Sequence, residues 1–256
     1  MKTKTTLLLL LPILFILAGC SKEDKEKTGK LVFKTIKEMP GEKALAVAPF
    51  LKNNVSVSDV YLMRTINMRG TITEIHVSQG EVKAGNANNL TWYKIGENDE
   101  LKYFDEYTFE LDNLPVGVYQ SIQMGLKNIW YRIAIHHSDP DNVVEMKETM
   151  GNNNCDDNET IIMDYFSNDG NHIIENGLFK LVSSGEKVGG FEILEGKVTT
   201  VYLKLGGTSD VPISACTFEW LDNNSNGIWD CGIDRADNFE CPPEVDVMFG
   251  FIVEYE

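Results

Sequence analysis

Near its carboxyl end the chain reads Val247-Met248-Phe249-Gly250-Phe251-Ile252-Val253-Glu254-Tyr255. Apolar or aromatic side chains occupy every second position of this stretch: Val247, Phe249, Phe251, Val253 and Tyr255. Neighbouring side chains of a β-strand point to opposite faces of the sheet, so a period of two predicts a strand with one buried face. This is the longest clean alternation in the chain, and it favours an all-β protein.

Shorter stretches with the same period are spread over the rest of the chain. They lie at residues 107–111, 129–136 and 199–205, and weaker strands are expected around 30–36, 55–63, 71–77, 118–126, 160–166 and 178–182. No long segment shows the 3.6-residue period of an amphipathic helix. Many short strands separated by polar turns predict an antiparallel β-sandwich or a partly closed barrel. Residues 139–159 and 221–244 interrupt the alternation, and the first of them is predicted to be a long polar surface loop.

One turn adds to the interpretation of the architecture. Leu114-Pro115-Val116-Gly117-Val118-Tyr119 lies between two alternating stretches. Proline fixes φ and glycine permits a positive φ, as a tight turn requires. The string resembles a turn of transthyretin-like sandwich domains. The resemblance implies a transthyretin- or immunoglobulin-like architecture, and it implies no function.

Charge and composition exclude two classes of protein. The chain has 256 residues, with 39 acidic and 23 basic side chains and a net charge of −16. Nucleic-acid binding requires a basic surface that displaces phosphate counterions, so a nucleic-acid partner is not expected. A hydrophobic fraction of 43% is too high for a disordered acidic chain.

The first twenty residues predict that the protein is located in the cell envelope. Lys2 and Lys4 precede an apolar run from Leu7 to Leu17, whose 11 residues match a signal-peptide core. A bilayer span would need about 20 residues. Leu17-Ala18-Gly19-Cys20 resembles the lipobox of bacterial lipoproteins. This resemblance implies cleavage before Cys20 and lipidation of its sulfur, and Ser21 favours outer-membrane sorting.

These signals divide the chain into three parts. Residues 1–19 are the expected signal peptide, residues 20–29 a charged flexible tether, and residues 30–256 the β-sandwich body. Residues 1–19 contain two lysines and no acid, so the mature chain has a net charge of −18. The membrane is therefore the expected partner, through a lipid anchor, and exposure on the cell surface stays open.

The most distinctive motif lies between residues 222 and 234. Counting Asp222 as position 1, oxygen-bearing side chains occupy positions 1, 3, 5 and 9, which are Asp222, Asn224, Asn226 and Asp230. Gly227 is at position 6, and Ile228 offers a backbone carbonyl at position 7. The spacing resembles the Ca²⁺ loop of EF-hand and dockerin-type proteins. That loop presents hard oxygens to one ion and turns sharply at the glycine.

Two departures weaken this match. Position 12, usually a bidentate acid, is Ile233, and no amphipathic helix flanks the loop, so a paired EF-hand is not expected. The acid follows as Asp234, which completes the set if the loop bulges by one residue, and Asp237 or Glu240 is the alternative. With few carboxylates, the expected affinity is on the order of 10⁻⁴ M. The alternative is an Asx-rich turn whose side chains bond their own backbone. Trp229, within the loop, is expected to pack over it rather than to contact a ligand.

Four cysteines remain besides Cys20. Cys155, Cys216, Cys231 and Cys241 form an even set in an oxidising compartment, so two disulfides are predicted. Three pairings are open. Proximity in the chain favours Cys231–Cys241 with Cys155–Cys216.

No catalytic motif is present, and an enzyme is not the favoured interpretation. The sequence predicts a lipid-anchored, calcium-stabilised binding or structural module with a glycan or protein ligand. The alternatives are an extracellular polysaccharide hydrolase, which needs two carboxylates across a cleft, and a subunit of a surface-assembled complex.

Overall fold

The structure is a computed structural model that describes residues 27–38, 60–81, 89–149, 155–156, 160–166, 190–207, 211–242 and 249–256. The fold is all-β, as the alternation predicts. The strands of the described residues are β1 Thr28–Ile36, β2 Val60–Gly70, β3 Ile72–Ser78, β4 Tyr93–Glu97, β5 Lys102–Tyr103, β6 Thr108–Pro115, β7 Gly117–Tyr119, β8 Ser121–Lys127, β9 Ile129–His136, β10 Val143–Thr149, β11 Thr160–Phe166, β12 Phe191–Ile193, β13 Val198–Leu205, β14 Thr217–Leu221, β15 Arg235–Glu240 and β16 Phe249–Tyr255. Short 3₁₀ turns occur at Phe104–Glu106 and Ile213–Ala215.

Three sheets organise these strands. Sheet A has the order β16-β13-β1-β6, sheet B the order β10-β9-β2-β14-β15 with β5 beside β2, and sheet C the order β11-β8-β3-β4. A two-stranded sheet joins β12 and β7. The pairing is antiparallel except between β1 and β13, which run parallel.

Sheets B and C share two continuous chain segments. β2 of sheet B continues through Thr71 into β3 of sheet C, and β8 of sheet C continues through Asn128 into β9 of sheet B. Trp130, 1% exposed, packs against Gly70 where these segments change sheet. The Tyr107 hydroxyl donates to the Gly70 carbonyl and accepts from the Ile72 N–H. Burial raises the pKa of Tyr107, so the phenol keeps the proton that it donates.

The buried apolar side chains form two clusters. The larger draws mainly on sheets A and C, with Leu31, Phe33, Ile75 and Leu203 almost entirely inaccessible. The smaller lies on sheet B and consists of Met63, Ala134, Met146, Phe218 and Trp220. The small cluster supports the hairpin β14–β15, which carries the candidate site.

The expected polar surface loop at 139–159 is wrong for part of its length. Val143–Thr149 forms β10, which pairs with β9 along its whole length, and Met146 is fully buried. Backbone pairing to a neighbouring strand is available to a polar segment, so the composition alone misleads here. The predicted strand 118–126 is divided into β7 and β8, and the second interruption contains β14's partner β15 at Arg235–Glu240.

Several predictions from the sequence fall on undescribed residues. The signal peptide 1–19, Cys20 and the predicted strand at 178–182 lie outside the described residues. Within the described ranges, none of the chain forms a helix with the length and hydropathy required to cross a bilayer.

The Gly70→Ala substitution tests the corner between sheets B and C. An added Cβ would lie 2.3–2.5 Å from ring atoms of Trp130, which is enclosed and unable to move away. We expect a loss of about 1–3 kcal/mol in the free energy of unfolding, the usual cost of overpacking. Urea denaturation measures it. Gly196→Ala is the control, since its added Cβ meets nothing within 4 Å. We expect it to lower the free energy of unfolding by about 1 kcal/mol, the cost of a side chain at φ +67°. Equal midpoints for Gly70→Ala and the unmodified chain would contradict the proposed packing role.

Candidate metal site

The candidate loop connects two paired strands. β14 pairs with β2 on one side and with β15 on the other, and residues 222–234 join β14 to β15. The disulfide Cys216–Cys241, with a Cα–Cα distance of 4.2 Å, closes the opposite end of this hairpin. Both ends of the loop are therefore attached to strands that are held in place by pairing and by this disulfide.

Asp222 holds the first half of the loop. Its side chain is 3% exposed, and its two carboxylate oxygens accept hydrogen bonds from the N–H groups of Asn226 (3.2 Å) and Gly227 (2.7 Å). Gly227 has φ +71°, in agreement with the sharp turn expected at position 6. These contacts are those of an Asx-type turn, in which a carboxylate replaces the missing backbone partners.

Asp234 holds the second half. It is 7% exposed and accepts the N–H of Asn223 (3.0 Å) on one oxygen. The other oxygen accepts the N–H of Asp230 (2.9 Å) and the indole N–H of Trp220 (3.3 Å). A carboxylate has about four acceptor positions, so three are used within the protein. Asp234 thus joins both ends of the loop to the core.

Three side chains converge between these two anchors. Oδ2 of Asp230 accepts from Nδ2 of Asn224 (2.6 Å) and from Nδ2 of Asn226 (2.7 Å). These hydrogen bonds lower the pKa of Asp230 below its ordinary value. The carboxylate is therefore ionised at neutral pH, and its two hydrogen bonds are lost only as the pH falls through that lowered pKa.

Ile228 and Trp229 have opposite environments. Ile228 is 65% exposed, and its N–H donates to Oδ1 of Asn226 (2.7 Å). Trp229 is half-buried, lies 6.2 Å from Trp220 between ring centroids, and donates its indole N–H to the Lys147 carbonyl (2.8 Å). Trp229 therefore packs against sheet B, on Trp220 of β14 and the backbone of β10.

The four cysteines form two disulfides, as predicted, but the favoured pairing is wrong. Cys155 bonds to Cys231, with a Cα–Cα distance of 6.0 Å, and Cys216 bonds to Cys241. Cys231 lies in the loop, whereas Cys241 follows the far end of β15. The six residues of β15 span about 20 Å, which no disulfide can bridge. Proximity in sequence fails because a strand separates the two cysteines.

The charges of the loop have no cationic partner in the described residues. None of the ion pairs formed there includes Asp222, Asp230 or Asp234, and Arg235 pairs with Asp237 instead (3.2 Å). Across the same ranges, no group of three or more His, Cys, Asp or Glu side chains is arranged to hold a metal ion. A metal here would depend on amide and backbone oxygens as well as carboxylates.

Comparisons with protein-family models, with curated proteins and with solved structures find no match to this chain. Function is therefore inferred from the residues of the loop, the surfaces beside it and the motifs of the sequence.

Asp234→Asn tests the structural role of that carboxylate without any metal. One acceptor oxygen becomes an N–H₂ group and faces donors that it cannot satisfy, which typically costs about 1–3 kcal/mol. We expect a loss of that size in urea denaturation with EDTA present. Asp237→Asn is the matched control, because its half-exposed carboxylate makes a surface ion pair, and we expect a change within about 0.5 kcal/mol. The same loss in both variants would contradict the role assigned to Asp234.

Proposed function

We propose that this protein is a lipid-anchored cell-envelope protein whose transthyretin-like β-sandwich is stabilised by calcium and serves as a binding or structural module. The observation that carries the calcium part is the convergence of Asn224 and Asn226 on a single oxygen of Asp230. The side chains at positions 3, 5 and 9 of the loop therefore meet at a point. Calcium prefers such a cage of hard oxygens.

The proposed ligands are Asp222, Asn224, Asn226, the Ile228 carbonyl and Asp230, with Asp234 as a further contributor. An anionic carboxylate attracts the N–H₂ ends of the two amides, whereas a cation at the same point attracts their oxygens. Turning the Asn224 amide about Cβ–Cγ brings its oxygen toward that point. Asn226 would also give up the bond from the Ile228 N–H.

The two anchoring carboxylates limit what calcium has to do. Asp222 and Asp234 already satisfy backbone donors of the loop, so the ion is not needed to form it. Calcium would instead relieve the repulsion between clustered acids and rigidify the turn. By mass action, it stabilises the native state and performs no chemistry.

The anchor follows from the sequence of residues 17–20 and from where the body begins. β1 starts at Thr28, so seven residues, 21–27, separate the proposed lipidation site Cys20 from the first strand. The eight Cα–Cα steps from Cys20 to Thr28 reach about 25–30 Å when the chain is extended. The body would therefore remain near the membrane surface.

Calcium should raise the melting temperature of the mature protein. With an affinity on the order of 10⁻⁴ M, 10 mM calcium is about 100 times the dissociation constant and stabilises by about 2.7 kcal/mol. For a chain of this size, the melting temperature rises by about 5–10 °C. Scanning calorimetry against EDTA measures the shift. Asp230→Asn, which keeps the side-chain shape and removes the charge, should lose most of it.

Asp112→Asn is the matched control and should keep the full calcium shift, because this exposed carboxylate lies on β6 and pairs with Lys30 (3.6 Å). Magnesium should give a smaller shift, because it requires near-octahedral geometry and releases water reluctantly. An absence of any shift at 10 mM calcium would refute calcium binding, and an equal shift in Asp230→Asn would refute this loop as the site.

Lipidation of Cys20 has a separate test. The protein, expressed in a bacterium fed an alkyne-bearing palmitate analogue, should incorporate the label and sediment with membranes. Cys20→Ser should abolish both, because the serine hydroxyl does not replace the thiol nucleophile. Label retained in Cys20→Ser would place the lipid elsewhere or exclude an anchor at this residue.

A further inference from the structure

A groove of about 570 Å³ lies beside the loop on sheet B. One side is formed by loop residues, including Trp229 and Ile233, together with the disulfide Cys155–Cys231. The other side and floor come from β9, β10 and β15, through Arg132, Lys147 and Phe239. The volume falls within the range of about 300–1,000 Å³ that is usual for small-ligand sites.

The floor of the groove is rigid. Arg132 is 5% exposed, and its guanidinium donates to Glu148 through Nε (2.6 Å) and Nη2 (3.0 Å) and to Thr65 through Nη1 (2.8 Å). It also lies 5.2 Å from the ring centroid of Phe239. These bonds satisfy the Arg132 guanidinium and pair its charge with Glu148, so neither side chain is free to move toward a ligand.

An aromatic ring and two cations remain accessible. Phe239 stacks on Phe218 at 5.2 Å and is still 49% exposed. Lys147 is half-buried and joins no ion pair between described residues, and Arg235 is exposed with a single surface partner, Asp237. Arg132 is paired with Glu148 and Arg235 with Asp237, so among the described residues that line the groove Lys147 is the cation without an ion-pair partner. Its unpaired charge favours an anionic group on the ligand.

We infer that the groove binds a short carboxylate-bearing saccharide. Its apolar ring face packs on Phe239, and its carboxylate pairs with Lys147 and Arg235. A flat protein partner fits less well, because stable protein interfaces bury about 800 Å² of each surface rather than filling a concave groove. This inference deepens the proposed binding function and rests on it, although the groove residues are distinct from the proposed calcium ligands except for Asp234 in the wall.

The test uses three acidic oligosaccharides with neutral counterparts, measured by calorimetric titration on the intact mature protein. The pairs are tri-galacturonic acid with galactotriose, hyaluronan tetrasaccharide with chitotetraose, and sialyllactose with lactose. At least one acidic member should bind about tenfold more tightly than its neutral partner, as expected for a charge-assisted contact. Binding should weaken at high salt.

Variants separate the contributions. Lys147→Gln should lower the preference for the acidic member severalfold. Lys27→Gln removes an equal charge from an exposed residue that does not line the groove, and it should leave the preference unchanged. Phe239→Leu retains apolar volume but removes the flat ring, and it should weaken binding of the acidic and neutral members alike.

The calcium shift is recorded for every sample, so that the two proposals can fail independently. Saccharide binding without a calcium shift refutes the metal site alone. A calcium shift without binding of any acidic saccharide at 5 mM refutes the groove assignment. Equal affinity for acidic and neutral members, an unaltered preference in Lys147→Gln, or tighter binding of a tetra-glutamate peptide also overturns it.

Discussion

The packing of Trp130 against Gly70 is the constraint on which the arrangement of the sheets depends. Two chain segments pass between sheets B and C at this corner, in opposite directions, and only a residue without a side chain lets the indole lie against the backbone. The Tyr107 hydroxyl holds the same corner through the Gly70 carbonyl. Because β14 pairs with β2, this contact also fixes the position of the candidate loop relative to the larger core.

The loop achieves order by a different means from the sheets. Its backbone N–H groups have no neighbouring strand, so the carboxylates of Asp222 and Asp234 accept them instead. Burying these acids is tolerable because every one of these bonds is charge-assisted. The loop is thereby organised before any ion is considered, and Asp230 differs from the other two acids because its carboxylate accepts from the side-chain amides of Asn224 and Asn226.

Features that depend only on neighbouring residues in the chain could be predicted from the sequence. Alternation at 129–136 and 199–205 depends only on the pleat, and the positive φ of Gly227 depends only on its own turn. The strand β10 could not be predicted, because what makes it a strand is pairing with β9. The disulfide pairing failed for the same reason: the distance from Cys231 to Cys241 is set by β15, which the loop composition conceals.

The groove could not be predicted from the sequence either, because it is formed by strands that are distant from one another in the chain. Arg132, Lys147 and Phe239 come from three strands, and only the order β10-β9-β2-β14-β15 brings their neighbourhoods together. The disulfide Cys155–Cys231 then ties the wall of the groove to the chain that follows β10. A wall held covalently and a floor held by the Arg132–Glu148 pair lose little conformational freedom when a ligand binds, and such preorganisation is what allows a small, open site to retain a ligand.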